Sequence, residues 1–236
     1  MSNILTILKK EFKSYFNSAI AYIFITVFLL ITGWFFVSDL FLANQASLRG
    51  PLSIIPLIFI FFIPGISMRL ISEERKSGTI ELLVTMPVKD HEIILGKYFA
   101  ALALLFAAVL STFPYVMTIS ILGEVDGGVI FGQYLGMLLM GAAYLAIGTF
   151  ASSMTRNQIV AFITSFLLVF IFFLIGKMLV FLPTSLVAIA EYISIDFHFE
   201  NLVRGVVDSR DMIYYFSLIS FFLLLSFRAL GSRKWK

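Results

Sequence analysis

The chain has 236 residues, of which 60% are hydrophobic and 13% charged, with a net charge of +3 and no cysteine. A soluble domain carries about 25% charged residues and a disordered chain far fewer apolar ones, so both classes are excluded and an integral membrane protein remains. Without cysteine there is no disulfide framework or thiolate metal site, and a net charge this small is no footprint for nucleic acid.

From the N-terminus, residues 3–16 place Ile4, Leu5, Leu8, Phe12, Tyr15 and Phe16 on one helical stripe and Lys9, Lys10 and Lys13 opposite it. This predicts an amphipathic helix over 1–17 lying in the membrane interface with its lysines at anionic headgroups; a basic flank that only sets topology is the other reading. Six continuous apolar windows come next, at Ala19–Leu40, Leu52–Ile71, Tyr98–Leu122, Phe131–Ala151, Ile159–Leu182 and Met212–Leu230. Each has about the 20 residues a bilayer requires of a helix, and continuous rather than alternating hydrophobicity excludes a β-barrel. The predicted fold is an all-α integral membrane protein, a single six-helix transmembrane domain over 1–236.

Six spans put both termini on one side. Thirteen lysines and arginines fall on that side and four on the other, so the positive-inside rule makes both termini cytoplasmic. The charges of Asp39, Arg69, Lys177 and Arg228 lie near span ends, where long side chains snorkel, and the span centres carry none. That argues against an ion-coupled carrier or a charged channel ring.

The stretch 72–97 between spans 2 and 3 is the most charged. With Arg69 at its edge it carries five basic residues and five acids, Glu73, Glu74, Glu81, Asp90 and Glu92, and is almost neutral. A loop made for headgroups would be basic; mixed charge with the apolar residues Ile80, Leu83 and Val84 suits a short helix that docks a protein, while a solvated hairpin is the plainer reading. Gly78 would permit a tight turn, Pro87 should end that helix and Asp90 can N-cap the next. Further along, Gly132 and Gly136 form a G-x-x-x-G suited to close packing within the subunit. Asp196-Phe-His198-Phe-Glu200 invites a metal-site reading, but one histidine without a partner points to a half-buried segment. The stretch 184–211 is too polar to span and reads as short helices capping the extracytoplasmic side.

No catalytic constellation emerges. Gly96-Lys97 and Gly176-Lys177 are followed by Tyr98 and Met178 and lack the first glycine of a phosphate-binding loop. His91-Glu92 has Leu95 where a second zinc ligand belongs, and Gly65-Ile66-Ser67 fails as a nucleophile elbow at Arg69.

The string E-x-x-x-G-T-I-E-L-L-x-T-x-P-V, Glu74 to Val88, followed by E-I-I-x-G-K, Glu92 to Lys97, resembles the permease subunits of ABC-2-type transporters. His198-Phe-Glu-Asn-Leu-Val-Arg-Gly-Val-Val-Asp208, then Asp211 and a basic tail, is similar to the subgroup that includes the gliding-motility-associated permease. The resemblance implies a half-transporter in the inner membrane, paired with a second copy or a related permease. It needs a separate ABC ATPase that binds ATP and magnesium, no cofactor of its own, and leaves room for an accessory extracytoplasmic protein. In that family 72–97 is the coupling loop, which makes Glu73, Glu74, Arg75, Gly78, Thr79, Glu81, Leu82, Leu83 and Pro87 the expected ATPase-docking residues. A scaffold that recruits a cytoplasmic partner through the same loop and transports nothing is the alternative.

Overall fold

A computed structural model describes residues 3–42, 47–79, 88–123 and 126–231; among them every regular element is helical and there is no strand. Helix α1 (Asn3–Asn17) meets α2 (Ala19–Phe41) at Ser18, whose hydroxyl accepts the Ile20 N–H and donates to the Tyr15 carbonyl, so the chain turns without losing its end groups. After α3 (Arg49–Ser53), α4 (Ile55–Ser67) starts with Pro56 in its first turn, where a missing N–H costs nothing. A turn over 68–71 leads into the short α5 (Ser72–Ser77). Helix α6 (Asp90–Leu110) breaks at Ser111 and Thr112 and resumes as α7 (Phe113–Leu122), with Pro114 in the first turn of the second piece. Asp126 and Asn157 cap α8 (Gly127–Met154) and α9 (Gln158–Lys177) by accepting the Gly128 and Ile159 N–H groups at 2.8 and 2.9 Å. A 3-10 turn over Leu179–Phe181 leads to α10 (Thr184–Ile193), α11 (Ile195–Val203) and the last helix, α12 (Ser209–Gly231).

Six of these stretches are long and apolar enough to cross a membrane: Ala19–Phe41, Ile55–Ser77, Asp90–Leu122, Gly127–Met154, Gln158–Lys177 and Ser209–Gly231. They are the six windows of the sequence with shifted ends. The third begins eight residues before the apolar window, at Asp90, because its first two turns pack on α1 and need not be greasy. The fifth stops at Lys177 rather than Leu182, since Pro183 forces Leu182 into an extended conformation. Lys89, not Asp90, is the residue before the first turn of α6; its N–H is accepted by the Glu92 carboxylate at 2.8 Å.

Helix α8 is the axis of the bundle, packed by α4, α6, α9, α11 and α12. Its glycines mark the approaches. Gly132 and Gly136 lie against Leu202 and Phe199 of α11, Gly141 against Leu105 of α6 and Phe59 of α4, and Gly148 against Ser67 of α4 and Ser165 of α9. Lipid gives helices no hydrophobic reason to associate, so close backbone approach supplies the contact, and the G-x-x-x-G serves the subunit's own interior. On the periphery, Leu30 and Trp34 of α2, Leu167 and Ile171 of α9, and Phe216 and Leu224 of α12 are exposed, as lipid-facing side chains would be.

The two ends of α8 hold different things. Gly136 packs on α11, whereas Ser152, sixteen residues and about 24 Å further along the axis, meets the turn before α5. Segment 184–211 therefore caps one end of the bundle and segment 72–79 the other.

Candidate functional site

Hydrogen bonds root α5 on the end of α8. The Ser152 hydroxyl accepts the N–H groups of Ile71 and Ser72, both at 3.1 Å, and donates to the Met68 carbonyl at 3.0 Å. The Arg75 guanidinium donates to the Ser153 carbonyl, and the Ser72 hydroxyl to that of Met68. Ser72, Ser152 and Ser153 are fully buried, so each of these groups would otherwise be an unpaired polar atom in the interior. At the far end of α5, Ser77, Gly78 and Thr79 are exposed. Gly78 closes the helix in the left-handed region at φ 74°, where a side chain would be strained, and the exposed hydroxyls of Ser77 and Thr79 share a 2.8 Å hydrogen bond. The element is thus a rigidly rooted projection with a polar tip.

The docking residues expected from the sequence divide accordingly. Glu73, Gly78 and Thr79 are exposed. Arg75 is partly buried on the Ser153 carbonyl. Glu74 turns inward, and its Oε1 lies 2.9 Å from the Lys97 ammonium. Glu81, Leu82, Leu83 and Pro87 lie outside the described residues.

Lys97 is the centre that sequence reasoning missed. Its side chain is only 5% exposed, and besides Glu74 it holds Glu11 of α1, at 3.0 Å. One ammonium thus joins three elements that begin at residues 3, 72 and 90. Such a pair repays its desolvation only with close geometry, and removing one partner strands charge in the interior, at a cost of about 3–5 kcal/mol. The residue before Lys97 completes the fit. A Cβ on Gly96 would sit 2.7 Å from the Ile7 Cβ and 3.2 Å from the Ile4 carbonyl oxygen, so only glycine lets α1 lie this close. A further tie runs from Asn3 to the Glu92 carboxylate at 3.1 Å.

This docking changes the reading of α1. Ile4, Ile7, Glu11, Tyr15 and Phe16 lie against the protein, leaving Leu5, Leu8 and Phe12 as the apolar stripe beside that face and the lysines outermost. Burial, then the Glu11 and Glu73 carboxylates, push the Tyr15 phenol well above its ordinary range, with Arg69 opposing them. The helix has three faces, where a stripe pattern alone shows two.

At the other end of the bundle α11 and α12 hold a second polar cluster. His198 Nδ1 lies 2.5 Å from Asp211 Oδ1, its Nε2 3.2 Å from the Tyr192 carbonyl, and its ring stacks 4.0 Å from that of Tyr214. Both His198 and Asp211 are buried, as is Asp196, which pairs with Lys177 at 2.6 Å. Asp211 is thus the partner His198 lacked in the sequence; Asp196 and His198 are both buried, and Glu200 is exposed.

The family model described as ABC-2 family transporter protein matches residues 5–230, from within α1 to the last turn of α12. The chain belongs to the ABC-2 transporter family. Comparison with curated proteins yields no match. As an ABC-2 family member this chain is a membrane permease, and the matched region includes α5, Lys97 and the whole of α8.

Proposed function

We propose that this ABC-2 permease is the membrane-spanning half of an exporter driven by a separate ATP-hydrolysing subunit, which docks on the loop 72–97 with the tip of segment 72–79 in contact. The carrying observation is the construction of α5: its base is bonded to Ser152 and Ser153 at the end of the central helix, while Glu73, Gly78 and Thr79 are exposed. A projection joined this stiffly to the axis of the bundle transmits a displacement of its tip to α8, and α8 touches α4, α6, α9, α11 and α12. The excess of thirteen basic residues over four on the α5 side supports a cytoplasmic position for that side and both termini. ATP and magnesium would be bound by the partner. A second copy or a related permease would complete the path, in the inner membrane.

The test is co-purification from native membranes. The tagged wild-type chain brings down a protein with ATPase activity, and Glu73→Arg combined with Thr79→Trp, both at exposed positions, abolishes that capture without changing the melting temperature of the permease. Undiminished capture by the double variant rejects segment 72–79 as the dock. A captured ATPase that hydrolyses ATP in proteoliposomes without moving any cargo favours the scaffold alternative.

A further inference from the structure

We infer that Lys97 is a latch that makes the N-terminal helix α1 travel with α5, so that the drive element is the pair of helices rather than α5 alone. The inference rests on the proposed docking of an ATPase at α5 and goes beyond it by assigning a mechanical role to Glu11, Glu74, Gly96 and Lys97.

The geometry singles out these residues. A buried ammonium holds Glu11 at 3.0 Å and Glu74 at 2.9 Å, so one cation is shared by two acids that belong to different helices. Loss of one acid leaves the ammonium a single carboxylate, whereas loss of the lysine leaves two carboxylates side by side without a cation, so Lys97 is the member on which the three-way contact depends. Gly96 brings the α1 backbone against α6, with the Ile4 carbonyl oxygen 3.2 Å from where a Cβ would stand. The docking string of the sequence thereby acquires an internal explanation. Its Glu74 does not face outward at all but meets the lysine of its own Gly-Lys ending, and the glycine of that ending seats α1.

Direction of motion is set by the other ties on each element. Helix α5 is tied to α8 by Ser152 and Arg75 and to α1 through Lys97. Helix α1 packs on α6 and on the start of α2, and its Leu5 and the lysines Lys9, Lys10 and Lys13 are exposed. A push on α5 therefore reaches the first span by way of α1 as well as the fourth by way of α8. Lys97 is a positioning residue in this scheme, since it touches neither ATP nor cargo.

The chain has no cysteine, so spin labels report without background. Labels at Lys9→Cys on α1 and Ser77→Cys on α5 give the latched distance, and labels at Ser77→Cys and Arg210→Cys, an exposed position in the first turn of α12 at the opposite end of the bundle, give the stroke. In the permease alone the Lys9–Ser77 distribution is narrow, and it broadens in Lys97→Met; equal widths overturn the latch whatever the ATPase does. In the complex with the captured ATPase, magnesium-ATP with vanadate changes the Ser77–Arg210 distance while the Lys9–Ser77 distance stays fixed; a Lys9–Ser77 distance that changes with it overturns the inference and leaves the docking intact. A complex in which nucleotide moves neither pair overturns both. Glu74→Lys with Lys97→Glu exchanges the cation with one of its acids, keeps one positive and two negative side chains at the site, and restores the narrow distribution; failure to restore it in a variant that melts like the wild type counts against the latch.

Discussion

Both ends of the bundle bury charge, but they do so from different distances along the chain. At the α11 end the partners are neighbours: Lys177 with Asp196, and His198 with Asp211, no more than nineteen residues apart. At the α1 end Lys97 gathers acids from positions 11 and 74, so the contact joins elements from distant parts of the chain. A local cluster stabilises the segment it lies in. A cluster recruited from three separate elements couples them, and this is the difference between a cap and a transmission.

Breaking that comparison begins with its strongest member. Lys97→Met leaves the Glu11 and Glu74 carboxylates side by side without their cation and costs about 3–5 kcal/mol, read as a large drop in melting temperature in detergent. The relocated cation in Glu74→Lys with Lys97→Glu recovers most of it. His198→Ala removes one hydrogen-bond partner of a buried carboxylate and costs about 1–3 kcal/mol. Its signature is that the α1 to α5 label distance stays as in the wild type, because the effect is confined to the other end. Gly96→Ala forces a methyl into Ile7 and costs about 1–3 kcal/mol by overpacking. Adding Ile7→Ala returns part of the loss if the clash is the cause. The exposed pair of Arg204 with Glu200 at 3.4 Å sets the lower bound: Arg204→Ala shifts stability by less than about 0.5 kcal/mol.

The same contrast explains what the sequence discloses. The six spans are legible because twenty or so apolar residues in a row have few other uses, and the matching helices end within a few residues of the windows except where α1 covers α6 or Pro183 intervenes. Close packing at Gly132 and Gly136 is legible from spacing alone. The amphipathic stripe of α1 is legible as such, yet Glu11 looks there like one more polar residue, since nothing local to it indicates a lysine at position 97. Glu74 reads as a docking residue for the same reason: a charge in a polar stretch is taken to face outward unless its partner is known. The one hint was the Gly-Lys pair beside a span, a small residue next to a charge at the edge of an apolar run. His198 similarly shows no partner in its own helix, although Asp211 lies in the first turn of the next. Pairing across elements is a property of the fold, and single-sequence patterns carry only its local half.

The central claim is that the α5 end of the bundle, and not the α11 end, meets the ATPase. A photoreactive residue at Thr79, on the exposed tip beyond α5, and another at Glu200, exposed on α11, interrogate the two ends in the same native membranes. The predicted result is a crosslink from Thr79 to an ATP-binding protein and none such from Glu200. A crosslink to that protein from Glu200, or its absence from Thr79 while the ATPase still co-purifies, would contradict it.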